Sequence, residues 1–109
     1  MEISYDDFAK LEIKIGTITD VAIIPDADRL LRLTVEVGEE TPRQIISGIR
    51  EFVSAPEALV GRQYPFLTNL APRTIRGWES RGMILAAGSD TTFAFLEPST
   101  DVPPGTLVQ

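Results

Sequence analysis

Residues 11–37 read L-E-I-K-I-G-T-I-T-D-V-A-I-I-P-D-A-D-R-L-L-R-L-T-V-E-V. Ile13 and Ile15 alternate with Glu12 and Lys14, the period-two pattern of a half-buried strand rich in β-branched residues. Gly16 interrupts that alternation. A glycine inside a strand predicts a bulge or sharp bend, as in a strand that curls around a small barrel. Pro25 stops the strand, and Asp26-Ala27-Asp28 carries turn chemistry. Leu31, Leu33, Val35 and Val37 then alternate with Arg32, Thr34 and Glu36, so a second strand has one unambiguous apolar face.

Working outward, Gly38 to Pro42 is a turn, and Arg43 to Ile49 reads as a third strand in a hairpin with the second. Residues 50–60 hold Phe52, Val53, Leu59 and Val60 around Pro56, which predicts a short helix or turn segment. Gly61 to Leu70 is a fourth strand, with Pro65 marking an edge or an irregularity. Arg81 to Gly88 and Thr92 to Leu96 are a fifth and a sixth, and Pro103-Pro104-Gly105 precedes a last apolar pair, Leu107-Val108. At the other end, Ser4-Tyr5-Asp6-Asp7 has the form of a capping box, with Asp7 in place of the usual glutamate. It opens a helix over about residues 5–10 whose inward anchors are Phe8 and Leu11. The chain shows no repeat, low-complexity run or linker, so residues 1–109 read as a single domain. The class is all-β. A curled strand, a hairpin, a short connecting helix and further strands follow the plan of the five-stranded OB-fold barrel. Periodicity alone does not separate that plan from an SH3-like barrel.

Composition narrows the chemistry. The 109 residues include 43% hydrophobic side chains, enough for one packed core. Cysteine and histidine are both absent. That removes disulfides, thiolate metal sites, the commonest zinc ligand and the commonest general base together. No phosphate-cradling P-loop and no calcium loop is present. An independent enzyme, a metal site and a cofactor are not expected. No apolar run approaches the ~20 residues of a membrane helix, and the acidic N-terminus is not a signal peptide, so the cytoplasm is the default location.

The formal charge is −6, from 10 basic and 16 acidic residues. It is unevenly spread. Residues 58–89 hold Arg62, Arg73, Arg76 and Arg81 against Glu79 alone, a local +3 that leaves −9 on the remainder. A small basic patch on an acidic body follows. Its centre is N-L-A-P-R-T-I-R-G-W-E-S-R-G-M-I-L-A-A, residues 69–87, whose Pro72, Gly77 and Gly82 predict a loop between strands. Arginines and Trp78 on such a loop suit phosphate and base contacts. The alternative is a long connection whose arginines are merely solvated.

The ordered set I-K-I-G-T-I (13–18), D-A-D-R-L (26–30), V-G-E-E (37–40), I-I-S-G-I (45–49), G-R-Q-Y (61–64), N-L-A-P-R-T-I-R-G (69–77), S-R-G-M-I-L-A-A (80–87) and P-P-G-T-L-V (103–108) covers nearly the whole chain. It resembles the tRNA-binding OB domain family. That family occurs as the C-terminal appendage or detached beta subunit of methionyl-tRNA synthetase, as a stand-alone bacterial tRNA-binding protein, and within eukaryotic synthetase cofactors. The resemblance implies an OB barrel with extra C-terminal strands. It implies a homodimer that binds tRNA by shape and backbone, without catalysis, as an accessory to a synthetase of the methionyl type. It also implies Arg29, Asn69, Arg73, Arg76, Ser80 and Met83 as RNA-facing or site-shaping residues. Arg29 and Thr74 stand where relatives usually carry lysine. A second reading remains beside it: a protein-interaction or chaperone-like OB domain in which the basic patch is incidental.

Overall fold

A computed structural model describes residues 1–109. Its centre is a five-stranded, nearly closed antiparallel barrel in the order β3-β2-β1-β4-β7. The barrel strands are β1 (Ile13–Ile23), β2 (Leu31–Glu36), β3 (Arg43–Ser47), β4 (Gln63–Leu67) and β7 (Met83–Ile84). Between β4 and β7 lies a hairpin of β5 (Arg73–Ile75) and β6 (Trp78–Ser80); after β7, β8 (Ala86–Gly88) pairs with β9 (Phe93–Phe95). This is the all-β, OB-like architecture that the sequence predicts.

The long β1 serves two neighbours. Ile13 to Thr17 pair with β4, and Thr17 to Ile23 pair with β2. One strand can do this only if it curls, and the curl is where the expectation for Gly16 needs correcting. The register slips between Ile18 and Asp20, not at Gly16. Gly16 answers a packing demand instead: a Cβ there would sit 2.5 Å from Val35 Cγ1 and 2.8 Å from Phe66 Cδ1. Both side chains belong to the main core, with Ile18, Leu31, Leu33, Val37, Ile45, Tyr64 and Ile84. The alternation along β2 sends Leu31, Leu33 and Val35 fully inside.

Several boundaries differ from expectation for local reasons. The 50–60 segment forms two short 3-10 turns, Arg50–Phe52 and Pro56–Leu59. The single fifth strand is divided into β7 and β8. Phe66 and Leu67 pair with Ile84 and Met83, and the Leu85 N–H donates to Pro65 O at 3.0 Å. Pro65 has no N–H to return, so the ladder ends there. The expected basic loop is itself a hairpin, turning at Arg76 and Gly77 with φ of 53° and 83°. Positive φ at both central residues is the geometry of a tight two-residue hairpin turn.

At the N-terminus the capping box forms in both directions. The Asp7 N–H donates to Ser4 Oγ at 3.2 Å, and the Ser4 N–H to Asp7 Oδ2 at 3.3 Å. It starts α1 (Tyr5–Ala9). The expectation that Phe8 and Leu11 anchor this helix inward holds only for Phe8, which is half-buried; Leu11 is exposed. The C-terminal tail returns to β1, where Ile15 N–H donates to Thr106 O and Val108 N–H to Ile13 O, each at 2.8 Å.

The tight approach at Gly16 yields a test. Gly16→Ala should destabilise the fold by roughly 1–3 kcal/mol through overpacking, read as a lower denaturation midpoint. Gly48→Ala, whose new Cβ has no neighbour nearer than Arg29 O at 3.9 Å, should leave the midpoint within about 0.5 kcal/mol of wild type. Equal effects at the two positions would show that the close packing at Gly16 does not limit this barrel.

Candidate nucleic-acid interface

The barrel closes between β3 and the segment 79–82, and few of the bonds there are ladder bonds. The Arg81 N–H donates to Gln44 O at 2.9 Å. Side chains supply the rest. Gln44 Nε2 donates to Glu79 O at 2.9 Å, and the Ile46 N–H donates to Ser80 Oγ at 3.0 Å. Ser80 Oγ donates in turn to Gly82 O at 3.2 Å. Ser80 is therefore buried and fully committed to the protein, on β6 rather than on a loop.

Arg43, which sequence reasoning did not single out, spans the same seam. Its Nη1 donates to Thr68 O and, at 3.1 Å, to Arg81 O. Its Nε and Nη2 grip both oxygens of Glu39 at 2.7 and 2.8 Å. The guanidinium hydrogen bond holds the Glu39 carboxyl below its ordinary value of 4.5, and the nearby charges of Arg43, Lys14 and Arg81 add to this. Residues 39 and 43 bracket a turn, and no sequence period pairs them.

The β5–β6 hairpin is fastened by its inner face. Ile75 and Trp78 pack on Ile24, Ala27 and Ile46, a small core separate from that of the barrel. The Arg32 guanidinium carbon lies 4.9 Å from the Trp78 ring centroid, a cation–π contact. Trp78 is half-buried, and one face of its ring holds Arg32. Arg73, Arg76 and Arg81 are exposed, and none forms an ion pair, whereas Arg29, Arg43 and Arg62 pair with Glu51, Glu39 and Glu97.

The six predicted residues thus divide by place. Arg29 and Arg76 line one cavity of about 370 Å³ between the β1–β2 turn and the hairpin tip. Arg73 lies on the same hairpin, opposite Ser80. Met83 is exposed on β7, opposite Leu67. Asn69 stands apart and tethers the N-terminal segment: its Oδ1 accepts from the Glu12 N–H at 2.9 Å, and its Nδ2 donates to Lys10 O at 2.6 Å. Acidic side chains nowhere gather in a group of three that could hold a metal ion.

A family model described as "Putative tRNA binding domain" matches residues 13–107. The chain belongs to this family. The chain is similar to the methionine–tRNA ligase of Myxococcus xanthus, with 50% identity over 108 residues; that match covers 98% of this chain and 15% of the ligase. The chain therefore spans about 15% of the length of this curated relative. Among solved structures, a MetRS-related protein from Pyrococcus horikoshii superposes with a TM-score of 0.90 at 32% identity, covering all of both chains. The chaperone CsaA from Bacillus anthracis superposes with a TM-score of 0.88 at 26% identity, again over all of both chains.

The Glu39–Arg43 clamp predicts a pH dependence. A folded-state pKa below the unfolded value gives stability that is present above 4.5 and lost as pH falls through the folded value. Wild type should therefore exceed Glu39→Gln in denaturation midpoint at neutral pH, and the gap should close on acidification below 4.5. A gap independent of pH would show that the carboxylate charge contributes nothing to the seam.

Proposed function

We propose that this domain is a non-catalytic tRNA-binding module that works as a homodimer in the cytoplasm and assists a methionyl-tRNA synthetase. The observation that carries the reading is a set of exposed guanidiniums without ion-pair partners, Arg73 and Arg76 on the β5–β6 hairpin and Arg81 just after it, on a segment packed onto the barrel. Unpaired guanidiniums are poised to fork onto phosphates. A rigid hairpin keeps them in a fixed array, which favours folded RNA over flexible chains. Arg29 and Met83 extend the proposed surface. Asn69 and Ser80 serve it as shaping residues, through the bonds that hold the 10–12 and 79–82 segments. Family membership and the likeness to methionine–tRNA ligases support tRNA as the ligand and a synthetase as the partner.

The homodimer rests on unburied apolar surface. Ile3, Tyr5 and Leu11 are exposed around α1, and Leu107 is exposed where the C-terminal tail bridges to Lys14. A five-residue helix is not stable alone. A second copy laid over these groups would bury them and join two RNA surfaces into one binding unit.

A chaperone-like second reading has its own observation. Phe52, Tyr64 and Phe95 line a groove of about 260 Å³ with Val53, Ala58 and Leu59, and the chain is similar to CsaA. The solvated hairpin arginines favour the RNA reading.

Two experiments test this function. Arg73→Ala combined with Arg76→Ala should weaken binding to bulk tRNA and reduce the salt slope by about one to two units, with an unchanged denaturation midpoint. Unaltered affinity and slope would remove both residues from the site. In sedimentation equilibrium the wild-type chain should have twice the mass of the monomer, and Ile3→Glu with Tyr5→Glu should return it to one. A wild-type monomer at high concentration would rule out the dimer.

A further inference from the structure

Beyond general phosphate binding, the cavity beside the hairpin tip has the chemistry of a site for one nucleotide. Its floor is apolar, made of Ala27, Leu30 and Ile75, and its rim is Asp26, Asp28, Arg29 and Arg76. At about 370 Å³ it falls in the ~300–1,000 Å³ range of small-ligand pockets. Arg50 holds the floor from behind, donating from Nη1 to Ala27 O and from its N–H to Arg29 O, both at 3.2 Å. Asp26 and Arg76, on the rim, have φ of 60° and 53°, and these are the chain's two non-glycine residues with positive φ. Such conformations are costly for an arginine and persist where the surroundings impose them. Neither Asp26 nor Asp28 forms an ion pair, although Arg29 and Arg76 line the same cavity.

We propose that this cavity receives a single unstacked guanosine of the bound RNA. The inference rests on the RNA reading of the hairpin and adds a base preference to it. The base lies on Ala27, Leu30 and Ile75. The flanking phosphates meet Arg29 and Arg76. The edge of the base faces the carboxylates, which are acceptors only. Guanine presents adjacent N1–H and N2–H donors to such a group and satisfies both carboxylate oxygens. Uracil presents one donor between two carbonyls, which a carboxylate repels. Adenine and cytosine present a single amino group beside an acceptor. Selection of a flipped-out base by its edge on an apolar platform is how proteins read single-stranded RNA. In this protein the acidic rim restricts binding as well, because it repels phosphate that arrives without a matching base.

Fluorescence anisotropy with the pentanucleotides UUGUU, UUAUU, UUCUU and UUUUU at low salt tests the assignment. Wild type should bind UUGUU about tenfold more tightly than UUUUU, the discrimination of one good bidentate base contact. Asp28→Asn should shrink that ratio, and Asp26→Asn with Asp28→Ala should abolish it; asparagine suits the left-handed backbone at position 26. Bulk tRNA binding should weaken in both variants by no more than the discrimination they lose. Equal affinity for the four pentamers, a ratio untouched by either variant, or no pentamer binding at protein concentrations that saturate tRNA would overturn the guanosine site. Each of those results leaves the tRNA module standing. Loss of tRNA binding by the wild type itself would overturn the module, and the pentamer ratio is read separately from it.

Discussion

Closure of the barrel between β3 and residues 79–82 is the constraint on which the rest depends. A barrel closed only by ladder bonds needs two full-length strands side by side. Here β7 is two residues long, because Pro65 ends its pairing with β4. The closing bonds come from side chains instead: Ser80 Oγ satisfies the Ile46 N–H, Gln44 reaches Glu79 O, and Arg43 reaches Thr68 O and Arg81 O. The Ser80 bond to Ile46 is buried and the Arg43 bond to Thr68 is part-buried, so leaving either unmade would strand a polar group away from water. The same bonds orient the base of the β5–β6 hairpin. Barrel stability and the aim of the hairpin arginines are thus set by one group of contacts.

The hairpin is held at two points. At its base the seam holds Ser80 and Arg81. Near its tip Ile75 and Trp78 sit on Ile24, Ala27 and Ile46, with Arg32 over the indole. Three arginines elsewhere are paired with acids: Arg43 with Glu39, Arg29 with Glu51 and Arg62 with Glu97. Arg73, Arg76 and Arg81 are exposed and form no such pair. Charge complementarity to RNA is therefore a local property, which the net charge of −6 conceals.

Legibility differed between elements for physical reasons. Strand β2 was plain because Leu31, Leu33, Val35 and Val37 alternate without exception, and period two with one buried face has few other solutions. The capping box was plain because its bonds join residues three apart. The β5–β6 hairpin was read as loop because Arg-Gly is not among the usual turn pairs, and three-residue strands carry almost no periodicity. Gly16 was recognised as special but for the wrong cause, since the side chains that exclude a Cβ come from residues 35 and 66. Arg43 was missed because its partners lie 4, 25 and 38 residues away with no pattern linking them.

By itself, the sequence determined the all-β class, the β2–β3 hairpin, the family, and the concentration of arginine in residues 69–87. These depend on local period, on turn residues and on motif order, all of which are written along the chain. Only the tertiary structure decided that Ser80 and Asn69 face the protein, that Arg76 meets Arg29 across a cavity, and that Asp26 and Asp28 share its rim. Those facts depend on which distant segments the barrel brings together. Side-chain direction and partner choice are settled by packing, and packing is a relation among segments that no single stretch contains.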